Sequence, residues 1–270
     1  MTDDERKRIL KDIEAQGFPL EVETSEVLEA HGWEVTNQFA YMDYEREKFR
    51  TVDILAKQNV LLEPLKLAFD AHLVIECKKS TNPWVFYATD FDLNKPETKR
   101  MAVSSMQFFI NTLAYQRKSH ERLQNLMINQ LMLGNHLISP IFGKLAHIPF
   151  EPFTKGKGRS IHKARMQVCN AILDLRDKQF EETQSDFPYG IVFIPVIVLD
   201  GHLYAYEDGK LNAEEGLYYY VTYADSSFII EIVTKDFLGT YLDLIEHQIK
   251  KFQTKFAKQK RSNAVSNTNL

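Results

Sequence analysis

Polar and apolar residues alternate along two parts of the chain and follow a helical period in between. Alternation predicts seven strands, at residues 33–41, 50–57, 72–79, 191–200, 202–207, 217–224 and 228–233. Apolar residues at helical spacing predict helices at residues 3–16, 20–31, 97–133, 160–182 and 236–257. Gly32 is expected to end the second helix, and Asp200-Gly201 and Asp208-Gly209 are expected to form hairpin turns.

This order of elements predicts a single α/β domain over residues 1–261, with a mixed β-sheet flanked by helices. The core would comprise residues 17–80 and 160–257, with a helical insertion after the third strand at about residues 97–140. We interpret residues 58–71 as a connection between strands. The polar residues 262–270 are expected to form a flexible tail.

The composition excludes several classes of protein and leaves the predicted fold unchanged. Hydrophobic residues make up 44% and charged residues 26% of the 270 residues, which is typical of a soluble globular protein. The charged N-terminus does not resemble a secretory signal, and the longest apolar run, residues 191–199, is too short to span a bilayer. We therefore expect a cytoplasmic protein with no membrane partner. The two cysteines exclude a disulfide framework, and the P-loop, GxGxxG, GxSxG and HExxH motifs are all missing from the sequence.

The candidate chemistry lies at the end of the third predicted strand, Val74-Ile75-Glu76-Cys77-Lys78-Lys79. A spacing of two residues places Glu76 and Lys78 on one face of that strand. Asp53 lies within the preceding apolar strand, where a buried carboxylate needs a cation or a metal ion as partner. Carboxylate oxygens suit Mg²⁺, for which Mn²⁺ can substitute, and Asp53, Glu76 and the Cys77 carbonyl are the candidate ligands. The alternative is a structural ion pair near the end of the sheet.

The arrangement of helix, strand, strand with Asp53, and strand with Glu76 and Lys78 resembles the PD-(D/E)xK nuclease superfamily. Residues 17–33 resemble the first core helix of its Mrr-like and Holliday-junction-resolvase-like branches. The resemblance implies a restriction-endonuclease-like fold and a Mg²⁺-dependent DNA endonuclease of restriction or defence type. It also implies that Glu21 joins the catalytic residues, with Glu26 as the alternative, and that residues 160–182 are the second core helix, on which Gln167 matches a polar position. A nuclease fold that only binds nucleic acid or protein is the competing hypothesis.

A net charge of −4 means that DNA binding would depend on a local basic patch. Residues 155–165 contain five basic residues and no acidic ones. The candidate phosphate contacts are Lys155, Lys157, Arg159, Lys163 and Arg165. The basic residues of 250–261 more simply form a solvated helix face. The sequence is also compatible with a homodimer.

Overall fold

The computed structural model describes residues 1–16, 18–43, 46–62, 67–105, 107–111, 141–153, 159–182 and 189–266. Its helices are α1 (Asp3–Gln16), α2 (Phe18–Ala30), α3 (Pro96–Ser104), α4 (Arg159–Glu182) and α5 (Leu238–Ser266), and a 3₁₀ turn, Lys235–Phe237, precedes α5. Its strands are β1 (Glu34–Asp43), β2 (Lys48–Leu62), β3 (Leu67–Lys79), β4 (Trp84–Asp90), β5 (Gln107–Asn111), β6 (Lys144–Phe150), β7 (Tyr189–Asp200), β8 (Leu203–Glu207), β9 (Lys210–Ala213), β10 (Gly216–Tyr223) and β11 (Ser226–Thr234).

All of these strands join one mixed sheet. Its order is β1-β2-β3-β7-β11-β10-β6-β4-β8-β9, and β5 pairs with β7 off this path. Strands β1, β2 and β3 are antiparallel neighbours, whereas β3, β7 and β11 run parallel. The α/β class and the large mixed sheet flanked by helices are therefore confirmed.

Apolar residues of the sheet alternate between two cores, one on each face. Ile75 packs in the core beneath α2 and α5, together with Leu28 and Tyr241. The neighbouring residue Val74 packs in the other core, together with Val168 of α4. Because successive residues of a strand point to opposite faces, Glu76 and Lys78 share the face of Val74 and lie on the α4 side.

The central strand β7 has β3 along one edge and shares its other edge between two strands. Residues 189–193 pair with β5, and residues 196–199 pair with β11. Pro195, which has no N–H for a ladder hydrogen bond, lies in the interval between these partners. A buried strand therefore accommodates a proline where one of its edges changes partner.

Two predictions in the first half of the chain are wrong, and three further strands were missed. The helix predicted at 97–133 is interrupted, because residues 107–111 form β5, and residues 112–140 lie outside the described part. The connection predicted at 58–71 is mostly a long hairpin, since β2 continues to Leu62 and β3 begins at Leu67. Strands β4, β6 and β9 were not predicted, although β4 buries Trp84 and Phe86 completely.

Of the two hairpin turns that the sequence predicts, the structure contains one. Asp208 and Gly209 both have positive φ and join β8 to β9, as predicted. Asp200-Gly201 is not a hairpin, because β8 pairs with β4 and β9 instead of β7. A Cβ at Gly201 would lie 2.6 Å from the Ser80 carbonyl oxygen, so glycine permits this close crossing.

The second helix ends before Gly32, whose φ is +77°, as predicted. Helix α4 closely matches the predicted residues 160–182. Helix α5 continues to Ser266 and so includes the first part of the tail predicted from residue 262, and residues 267–270 lie outside the described part. Among the helices described, none is long and apolar enough to cross a membrane.

Candidate active site

Asp53 lies where strands β2 and β3 separate. Their antiparallel register runs from Leu62 and Leu67 to Ile54 and Ile75, and it stops one residue before Asp53. The Cys77 backbone N–H donates to Asp53 Oδ2 over 2.8 Å. A side-chain carboxylate therefore takes a hydrogen bond that continued strand pairing would have given to the backbone of β2. Only 9% of Asp53 is exposed, and burial raises the pKa of its carboxyl against the opposing charge of Lys78.

Glu76 and Lys78 form an ion pair beside Asp53. Lys78 Nζ donates to Glu76 Oε1, and it also donates to the Cys77 carbonyl oxygen over 3.2 Å. Burial raises the pKa of Glu76 to about 7; the Lys78 ammonium opposes the rise and the Asp53 carboxylate adds to it. Glu76 is 1% exposed, and its Oε2 atom is buried without a hydrogen-bond partner in the described part of the chain. The pair therefore leaves one carboxylate oxygen of Glu76 uncompensated.

Glu21 approaches the same site from the first turn of α2. Burial raises the pKa of its carboxyl, the Asp53 carboxylate adds to the rise, and Gln38 and Lys78 oppose it. Gln38 Nε2 donates to Glu21 Oε2 over 2.6 Å. Glu26 is exposed to solvent and, five residues further along the helix, points in another direction. Of the two alternatives, the structure brings Glu21 to Asp53 and Lys78.

Helix α4 covers the site from the other side and contributes a positive charge. Lys163 is exposed, and its ammonium lowers the pKa values of both Asp53 and Glu76 against the larger effect of burial. One turn later, Gln167 Nε2 donates to the Thr51 carbonyl oxygen over 3.4 Å. Among the predicted phosphate contacts with described side chains, Lys163 is thus the one whose charge affects the pKa values of Asp53 and Glu76.

The other basic candidates are placed differently. Arg165 turns toward its own helix and the sheet: Nη2 lies 2.9 Å from His162 Nδ1, and Nη1 donates to the Tyr219 hydroxyl over 3.4 Å. Arg159 begins α4. Lys155 and Lys157 lie outside the described residues.

Two further residues belong to the site and were not predicted from the sequence. Tyr41 of β1 is completely buried, and its hydroxyl has no hydrogen-bond partner among the residues described. Burial and the Glu76 carboxylate raise the pKa of Tyr41. Gln38 is the second. Both follow the alternating pattern of β1, so the sequence distinguishes neither from an ordinary strand residue.

The donor set suits a hard divalent cation. Three carboxylates, those of Glu21, Asp53 and Glu76, influence one another or share a neighbour in Lys78, and Glu76 Oε2 is buried without a partner within the described residues. Oxygen ligands of this kind are those of Mg²⁺ and Mn²⁺. The described part of the chain, however, contains no group of three or more His, Cys, Asp or Glu side chains that is already arranged to hold a metal ion. The three carboxylates are thus chemically suitable ligands for such an ion. In the structure, the positive charge next to Glu76 is that of Lys78.

Comparisons of the chain with protein-family models, with curated proteins and with solved structures give no match.

Proposed function

We propose that the protein is a Mg²⁺- or Mn²⁺-dependent endonuclease that hydrolyses phosphodiester bonds in DNA, on a restriction-endonuclease-like fold. The observation that carries the proposal is the meeting of Asp53, Glu76 and Lys78 where β2 and β3 separate. Two carboxylates and an ammonium, two of them largely withdrawn from solvent, have little reason to be buried together unless the charge is used. Glu21 adds a third carboxylate from a separate element. A restriction or defence role follows from the family resemblance alone.

Each residue would contribute through a contact already described. The Cys77 N–H fixes the orientation of the Asp53 carboxylate, so that its other oxygen is available as a ligand. Glu76 would offer Oε2, and the Cys77 carbonyl would be a further oxygen ligand beside Lys78. When bound, the divalent cation supplies Lewis-acid stabilisation of the charge that develops at the scissile phosphate.

Lys78 would act on the attacking water or on the phosphate. An ammonium has three N–H donors, and two of these are directed to Glu76 and to the Cys77 carbonyl oxygen. The third can hold a water molecule or a phosphate oxygen at the mouth of the site, since Lys78 is 17% exposed. Lys163, on the opposite wall, would attract the phosphate backbone.

The second candidate is a nuclease-like module that binds nucleic acid or protein without cleaving it. It is favoured by the ion pair between Lys78 and Glu76, which already satisfies part of the charge, and by the lack of a gathered ligand group within the described ranges. In this case the three residues would be a structural pair with a neighbouring acid.

Thermal unfolding with and without Mg²⁺ or Mn²⁺ separates the two candidates. A functional cation site raises the melting temperature, because the ion binds the folded state, and Asp53→Ala loses the increase. Glu26→Ala, on the exposed side of α2, is the matched control and should keep it. A melting temperature that does not respond to either ion in the wild-type protein would favour the binding module.

A further inference from the structure

The backbone of β1 is irregular at one position next to the carboxylates. Gln38 has φ of 50°, in the left-handed region that side chains other than glycine rarely adopt. The β1–β2 register is continuous on both sides, with Asn37 opposite Ile54 and Phe39 opposite Val52, but the intervening Gln38 and Asp53 are not paired. The ladder is therefore opened at the residue that faces Asp53.

This conformation is exceptional within the described residues. The other non-glycine residues with positive φ all lie in turns, namely Glu47, Phe153, Asp208, Ala224 and Asp225. In the part of the chain that the structure describes, Gln38 is the only such residue inside a strand. A left-handed residue that is not glycine costs about 1 kcal/mol or more, and such strain concentrates at functional sites. The strain at Gln38 therefore suggests that one of its interactions serves function and not stability.

The interaction is with the turn of α2 that carries Glu21. The Gln38 amide donates to Glu21 Oε2 over 2.6 Å. The preceding residue, Asn37, reaches the same turn, because its Oδ1 lies 2.7 Å from Ser25 Oγ, which lies 2.9 Å from the Glu21 carbonyl oxygen. Two successive residues of β1 thus hold one turn of α2, and the second of them holds the carboxylate itself.

We propose that Gln38 is a positioning residue that orients the Glu21 carboxylate toward the divalent cation. Donation to Oε2 fixes the carboxylate and leaves its other oxygen for the ion, as outer-shell partners do at metal sites. The open ladder also leaves Asp53 unpaired with β1 at the position where its carboxylate accepts the Cys77 N–H from β3. This inference rests on the proposed cation-dependent function and adds a residue to that site.

Replacing Gln38 should separate stability from cation binding. Gln38→Gly removes both the side chain and the steric cost of the left-handed backbone. Gln38→Asn keeps an amide that tolerates this backbone, but is one methylene shorter. Both variants should therefore unfold in EDTA at the wild-type temperature or above it. Both should bind Mn²⁺ about tenfold more weakly in calorimetric titrations, which is the effect expected for an outer-shell partner.

Thr36→Gly is the matched control, since Thr36 is an exposed residue of the same strand whose φ is not positive. It should lower the melting temperature in EDTA, because glycine weakens a strand, and keep the wild-type affinity for Mn²⁺.

Three results would overturn the inference. Wild-type Mn²⁺ affinity in both Gln38 variants would show that Gln38 does not position Glu21, and the proposed function would stand. A large drop in melting temperature in EDTA would make Gln38 a folding residue. A wild-type protein that binds no Mn²⁺ would remove the inference together with the proposed function.

Discussion

Replacing Glu76 by glutamine should stabilise the metal-free protein above neutral pH and remove its response to divalent cations. Burial raises the pKa of Glu76 from 4.5 to about 7 in spite of the Lys78 ammonium. Folding therefore disfavours the ionised carboxylate by an amount on the order of 3 kcal/mol, at about 1.4 kcal/mol per pKa unit. Glutamine has the shape of the protonated side chain and avoids this cost.

The direction of the pH dependence follows from the raised pKa. Between about 4.5 and about 7 the folded protein retains a proton that the unfolded chain has released, so the free energy of unfolding falls as the pH rises. The charged groups that face Glu76 are Lys78 on β3, Asp53 on β2 and Lys163 on α4, and the substitution changes none of them. Glu76→Gln should therefore match the wild-type protein at about pH 4.5 and exceed it by about 2–3 kcal/mol at about pH 8.

Urea unfolding in EDTA, followed by the fluorescence of the buried Trp33 and Trp84, measures this difference at both pH values. Glu26→Gln makes the same chemical change at an exposed position and should leave stability unaltered. Addition of Mn²⁺ should stabilise the wild-type protein and the control, but not Glu76→Gln. An equal loss of stability at both pH values in Glu76→Gln would mean that Glu76 and Lys78 are a structural ion pair, and the reasoning would be refuted.

Three further sets of substitutions test separate parts of the account. Lys78→Ala and Lys78→Arg should both abolish cleavage and retain Mn²⁺ binding, because the carboxylates remain and a planar guanidinium does not replace a compact ammonium; near-normal turnover in either would make Lys78 structural. Alanine at Lys155, Lys157 and Arg159 together should make the log–log salt dependence of DNA binding shallower by roughly 2–3, and an unchanged slope would place the DNA elsewhere. Glu231→Gln should flatten the pH dependence of stability below about pH 7, because burial raises the pKa of Glu231 to about 7 although the hydrogen bond from Tyr241 opposes the rise. Urea unfolding at pH values below and above 7 checks this, and an unchanged pH profile would contradict it.

The sequence correctly placed Glu76 and Lys78 side by side, because the information needed for this is local. Glu76 and Lys78 are two residues apart at the end of an apolar strand, and that spacing alone places them on one face. The role of Asp53 was equally readable, since a carboxylate in the middle of the preceding apolar strand needs a partner. In the structure it accepts a hydrogen bond from the Cys77 N–H, between Glu76 and Lys78. The choice between Glu21 and Glu26 could not be made from the sequence, because it depends on how Leu20 and Leu28 pack α2 against the sheet.

Residues 107–111 show why the middle of the fold was mispredicted. The segment Gln-Phe-Phe-Ile-Asn is a short apolar run without glycine or proline, and such a run fits a buried helix as well as a buried strand. Its pairing with residues 189–193 of β7 decides the outcome, and those residues are far away in the sequence. Local preference was overridden by a tertiary partner.

Gln38 illustrates a different limit. Alternation along β1 marks it as an ordinary polar strand residue, and the residue type carries no preference for positive φ comparable with that of glycine or asparagine. Its left-handed backbone accompanies a hydrogen bond to Glu21 of α2 and a missing strand pairing with Asp53 of β2, both of which involve other elements. A feature of this kind becomes visible only in three dimensions.

Cleavage of DNA by the purified protein tests the central claim most directly. Supercoiled plasmid and linear duplex DNA, with RNA of similar length beside them, are incubated with Mg²⁺, with Mn²⁺ or with EDTA, and each arm is repeated with Asp53→Asn. The account predicts that the wild-type protein cuts DNA with either ion, and that EDTA or Asp53→Asn abolishes cutting. Cleavage that persists in EDTA or in Asp53→Asn, or a wild-type protein that binds both ions and DNA but leaves every substrate intact, would contradict it.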